Sequence, residues 1–164
     1  MIFFAITVAG GLPLATFAQG PHSNLAGLMK QLSAEYPNIV HLTRAEIVEQ
    51  LGEIVLVDVR QPEEYMVSHI PGAIHMTDLE RLGSFVKSQD KQVVLYCSVG
   101  YRSAETVQSL RDQGIDGVSN FAGSIFDWAN HGLPLKNASG PTDRVHPYSW
   151  FWGWRYLQPQ RHAD

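Results

Sequence analysis

Cysteine is almost absent from this chain. Cys97 is the only one in 164 residues. A single thiol excludes an intramolecular disulfide and any multi-cysteine zinc site. Clustered positive charge is also missing. The chain carries 12 Lys and Arg against 16 Asp and Glu, for a net charge of -4. That balance argues against nucleic acid as the main partner. The sequence shows no internal repeat and no low-complexity segment.

Charge is lacking altogether from Met1 to Ala18. The apolar part, Ile2 to Leu12, is short for a membrane span, and Gly10, Gly11 and Pro13 interrupt it. Thr16-Phe17-Ala18 then offers small residues before Gln19, in the manner of a secretory signal peptide. The basic residue that precedes the apolar run in such signals is absent. Residues 1–18 are therefore expected to act as a signal peptide and the protein to be exported, periplasmic or secreted. If the segment is not cleaved, it would anchor the chain to a membrane.

The rest has the apolar share, 45%, of an ordinary folded protein, and a length suited to one domain with an appendage. Residues 19–38 read as a linker and an N-terminal helix, with Leu25, Leu28, Met29 and Leu32 at helical spacing. Ile39-Val40-His41 reads as a short strand. Thr43 and Glu46 form a capping box for a helix ending near Gly52. Ile54 to Val57 and Val93 to Tyr96 are continuous apolar runs, as in strands covered on both faces. Pro62 opens a short helix, Asp78 to Ser88 is amphipathic, Val118 to Phe121 is a strand, and Ser124 to Asn130 is a helix. Strands alternating with helices predict an α/β domain over residues 39–136, with a mainly parallel sheet and helices on both faces. Sites in such sheets form at the carboxyl ends of strands. Asp58 and Cys97 both fall just past such an end.

Cys97-Ser98-Val99-Gly100-Tyr101-Arg102-Ser103 is the stretch with the clearest chemistry. An apolar strand leads in and a helix leads out. Loop amides and the orphan N–H groups of the helix start converge there and favour negative charge. Arg102 adds a cation. A thiol so placed is favoured in its nucleophilic form, whereas most lone cysteines are inert buried hydrophobes. Gly100 fits a backbone position that other residues tolerate poorly.

Four stretches together resemble the rhodanese-like domain family. They are Asp58-Val59-Arg60-Gln61-Pro62-Glu63-Glu64-Tyr65, His69-Ile70-Pro71-Gly72-Ala73, the Cys97 to Ser103 loop, and Phe121-Ala122-Gly123-Ser124-Ile125 with Trp128 and Gly132-Leu133-Pro134. Order and spacing agree from about Ile39 to Leu135. Ser68 and Ala122 stand where such sequences often carry glycine.

The resemblance implies a three-layer domain with a five-stranded sheet. It also implies a single-domain sulfurtransferase in which Cys97 takes sulfane sulfur from a donor such as thiosulfate, as a persulfide, and passes it to a thiol or cyanide. Ser98, Val99, Gly100, Tyr101 and Ser103 would then bind the anion through their backbone amides, and Arg102 through its side chain. Asp58, Arg60 and Glu64 would support the loop by ion pairs. His69 would be structural, and no metal or organic cofactor is called for. His131, His146 and His162 lack ligand spacing and are expected on the surface.

Two alternatives stand beside this. Phosphatase or arsenate-reductase loops place five residues between cysteine and arginine, whereas four separate Cys97 from Arg102. A shorter ring of amides suits a sulfur atom better than a tetrahedral phosphate or arsenate. The other alternative is a binding module that works through the aromatic-rich C-terminal arm, residues 137–164. There Trp150, Trp152 and Trp154 either pack on the domain or meet a membrane surface or protein partner.

Overall fold

The computed structural model describes residues 24–163. The expected signal segment and nearly all of the linker after it lie outside the described residues. Among those described, no helix is long and apolar enough to cross a membrane.

Five strands form one wholly parallel sheet: β1 (His41–Leu42), β2 (Ile54–Asp58), β3 (Ile74–His75), β4 (Gln92–Tyr96) and β5 (Val118–Phe121). Their spatial order is β1-β5-β4-β2-β3. The two longest, β2 and β4, lie side by side near the middle, with Asp58 in register with Tyr96. Their apolar runs are continuous because both faces are covered. Leu56, Val94 and Tyr96 enter one core, while Val57, Val93 and Leu95 enter the other. That is the period-two alternation of a strand.

Six of the helices are α1 (Leu25–Glu35), α2 (Arg44–Glu49), α3 (Pro62–Val67), α4 (Leu79–Lys87), α5 (Tyr101–Asp112) and α6 (Ser124–Asn130). Helices α4 and α5 supply Leu82, Val86, Ala104, Val107 and Leu110 to one core. Helices α2 and α6 supply Ile47, Ile125, Phe126 and Trp128 to the other. Helix α1 serves both, with Leu25 and Leu28 in one and Leu32 in the other. The Thr43–Glu46 capping box is present, and Pro62 occupies the first turn of α3. Small shifts separate expectation from fold. β1 takes in Leu42 rather than beginning at Ile39, and α5 begins at Tyr101, directly after Gly100.

The C-terminal region is no loose arm. A hairpin, β6 (Leu135–Asn137) and β7 (Gly140–Thr142), is followed by α7 (Trp150–Tyr156). One backbone pairing, Lys136 with His69, ties this region to the domain, and another, Val145 with His162, closes the tail on itself. Asn130 at the end of α6 holds the far end of α7, donating to the Tyr156 carbonyl at 2.7 Å and accepting from the Gln158 amide at 2.9 Å. Val145, Tyr156 and Leu157 are buried in the same core as α6. His146 and His162, expected on the surface, are half-buried within this folded tail, while His131 is exposed and pairs with Asp127.

Candidate active site

Parallel strands β2 and β4 bring their carboxyl ends to one edge, and the candidate residues gather there. Asp58 ends β2, and Cys97 follows β4 directly. Gly100 turns the loop into α5 with a φ of 110°, a left-handed value that other residues rarely adopt. A Cβ there would also sit 2.9 Å from the Leu32 side chain. The left-handed φ calls for glycine, and a side chain there would in addition press the Leu32 methyl aside.

Cys97 is only 1% exposed, yet it lines a cavity of about 350 Å³. The Gly100 amide donates to its Sγ at 3.2 Å. Ser103 Oγ lies 3.5 Å from the same sulfur and 3.2 Å from the Gly100 carbonyl, so its single proton has two acceptors to choose between. Both donors stand at the amino end of α5, where the helix field favours negative charge. Behind the sulfur, the Cys97 amide donates to Ser124 Oγ at 3.1 Å, and that hydroxyl donates to the Phe121 carbonyl at 2.9 Å. Ser124 holds a left-handed φ of 51°, a cost the loop geometry imposes on a side chain it uses.

Arg102 does not meet the cavity as a free cation. It donates to both oxygens of Glu64 at 2.7 Å, and its Nη2 also reaches Ser98 Oγ at 3.0 Å. Ser98 Oγ in turn donates to Glu64 Oε1 at 3.0 Å. The Ser98 and Ser103 side chains thus carry specific bonds where only their backbones were expected to matter. Burial pushes the Glu64 carboxyl up, but the Arg102 guanidinium, the Gln61 amide and Arg60 together hold it below the usual 4.5. Arg102, opposed by its own burial, is pushed up by the same partnership and by the nearby Cys97.

Asp58 and Arg60 form a second pair, wholly buried, with a 2.6 Å contact from Arg60 Nη2 to Asp58 Oδ2. The same nitrogen donates to the Ser68 carbonyl at 2.6 Å, so the pair locks β2 to the turn after α3. Tyr96 faces this pair, and burial raises its hydroxyl well above 10.0, which keeps it neutral as it accepts from the Ile70 amide. Tyr65 stacks between His69 and His75, at 3.9 and 4.5 Å, and His75 bonds the Arg60 carbonyl. Both histidines are packing elements under the site and do not line the cavity.

The cavity walls include residues that sequence reasoning missed. Leu28 and Gln31 come from α1, and Tyr148 and Trp152 come from the tail. Tyr101 lines it too, its hydroxyl bonded to Glu35 on α1. Helix α7 divides its aromatics. Trp152 lines the cavity, while Trp150 and Trp154 stack on each other at 6.0 Å and are exposed. Ser124 was visible in the closing segment of the sequence, but not its contact to the Cys97 amide.

The sequence model of the rhodanese-like domain matches residues 43–131. A sulfurtransferase of Allochromatium vinosum is 37% identical over 92 residues, 54% of this chain and 83% of that protein. An uncharacterized protein of Synechocystis is 34% identical over 97 residues, 57% of this chain, and this chain spans 54% of its length. Among solved structures, a rhodanese-related protein from Thermoplasma volcanium superposes with a TM-score of 0.51 at 26% identity, covering 58% of this chain and 96% of that one.

Proposed function

The chain belongs to the rhodanese-like domain family, and on that premise we propose that it is a sulfurtransferase whose carrier is Cys97. The observation that carries this reading is the Gly100 amide aimed at Sγ, with Ser103 beside it, in the wall of a half-open cavity. In the first half-reaction the Cys97 thiolate attacks the outer sulfur of a donor such as thiosulfate. The donor S–S bond breaks and sulfite leaves with the electron pair. Cys97 then holds a persulfide. In the second half-reaction a thiol or cyanide attacks the terminal sulfur, and the electron pair of that bond returns to Sγ. The Gly100 and Ser103 donors suit both the attacking and the departing thiolate, because hydrogen bonds to a developing anion strengthen as charge grows.

Phosphate chemistry is the weaker reading. The loop keeps four residues between Cys97 and Arg102, and Arg102 is already engaged by Glu64. A phosphate dianion would need that guanidinium free.

The test is mass spectrometry after thiosulfate treatment. The expected result is a gain of one sulfur atom on the intact chain that is absent in Cys97→Ser. No gain with any sulfane donor removes the reading.

The exposed Trp150–Trp154 stack favours one addition, a contact between α7 and a membrane surface or protein. Flotation with lipid vesicles, wild type against Trp150→Ser, measures it, and equal flotation would count against the membrane form.

A further inference from the structure

The cavity above Cys97 is built for something less charged and more apolar than an inorganic sulfur oxyanion. At about 350 Å³ it falls within the range that holds small organic ligands, roughly 300–1,000 Å³. Its walls include Leu28, Val99, Trp152 and Tyr148. Among the described residues that line it, Arg102 alone is charged. That charge is matched by two 2.7 Å bonds to Glu64, and its face is covered by the Tyr148 ring at 4.6 Å. A dianion entering this space would lose water without gaining a free cation. An aromatic or branched apolar group would instead lie between Trp152 and Leu28.

Resting on the sulfurtransferase reading, we infer that Trp152 and Tyr148 select an organic sulfane-sulfur donor. That donor has one negative charge at the sulfur end and an aromatic or bulky apolar group at the other. Both side chains lie outside the matched segment, residues 43–131, so this selectivity belongs to the tail of this chain. An aryl thiosulfonate is the simplest member of the class. The Cys97 thiolate attacks its terminal sulfur and a new S–S bond forms. The bond from that sulfur to the sulfonyl sulfur breaks, and the arylsulfinate leaves with the electron pair. Charge balances with no other oxidant or reductant.

The experiment compares benzenethiosulfonate with thiosulfate as donors to a common thiol. Wild type is expected to show at least a tenfold larger kcat/KM for benzenethiosulfonate, and Trp152→Ala is expected to lower the ratio of the two values by about tenfold. A wild-type preference for thiosulfate, or a ratio that Trp152→Ala does not move, overturns the inference. Should Trp152→Ala fail to fold, Tyr148→Ala, changed at an exposed ring, gives the same comparison. Calorimetric binding of benzenesulfinate and sulfite to Cys97→Ser protein reads the cavity without turnover. Tighter binding of benzenesulfinate supports the inference, and tighter binding of sulfite overturns it. If neither donor loads sulfur on Cys97, the sulfurtransferase reading falls by itself, and the binding measurement still decides what the cavity prefers.

Discussion

Tyr148 covers Arg102: the guanidinium carbon lies 4.6 Å from the ring centroid. The loop helix and the C-terminal tail, distant in the chain, meet at this contact. It is a cation–π pair at a partly exposed site, worth about 1 kcal/mol. Tyr148→Ala is therefore expected to lower unfolding stability by about 1 kcal/mol and to loosen the tail. Denaturant titration measures the first effect, and faster proteolytic clipping near residue 148 measures the second.

Glu64 is the hinge of the charge arrangement. Glu64→Gln leaves the Arg102 guanidinium without its counterion, and the expected loss is about 2 kcal/mol, between the values for exposed and buried pairs. The loss depends on pH with a definite sign. The Glu64 carboxyl is depressed in the folded state, so its contribution is fully present above the ordinary 4.5 and disappears as pH falls through the lower folded value. Thermal unfolding of wild type and variant from about pH 7 to about pH 3 should show the two curves converging at the acid end. The freed guanidinium should also lower the KM for thiosulfate.

Gly100→Ala should be severe. The position holds a φ of 110°, and the added methyl would press on Leu32 at 2.9 Å. The expected cost is about 2 kcal/mol or more, with loss of sulfur loading as the amide turns away from Sγ. Circular dichroism melting together with the mass assay separates the two effects.

Ser124→Ala removes the acceptor for the Cys97 amide and leaves that N–H buried without a partner. About 2 kcal/mol of stability should go, together with a slower single-turnover sulfur loading rate. Retention of the wild-type rate would mean that the loop is held by its other contacts alone, including the Ile125 and Phe126 amides on the Cys97 and Ser98 carbonyls.

The parts of this fold that could be read from sequence are those set by neighbours in the chain. Ile54 to Val57 and Val93 to Tyr96 announce buried strands because each residue contributes to one face or the other. Thr43, Pro62 and Gly100 act through local backbone geometry. The loop around Cys97 was legible for the same reason. What could not be read depends on distant residues. Arg102 and Glu64 are 38 positions apart, and nothing local tells a guanidinium whether its carboxylate lies in the fold or in the ligand. The tail was opaque for another reason. Aromatics at 150, 152, 154 and 156 repeat every two residues, as on one face of a strand. Ser149 caps a helix instead, which splits them into an outward pair, Trp150 and Trp154, and an inward pair, Trp152 and Tyr156.

The place of Tyr148 and Trp152 in the walls of the Cys97 cavity also has a consequence for how the protein is made. A ribosome adding 5–20 residues per second reaches Tyr148 about fifty residues after Cys97, a delay of roughly 3 to 10 s. The strands and the cysteine loop precede these two cavity walls in the order of synthesis. The nascent chain therefore passes through an interval in which the cavity lacks these two walls, and the donor selectivity inferred for them would begin only when the tail has docked.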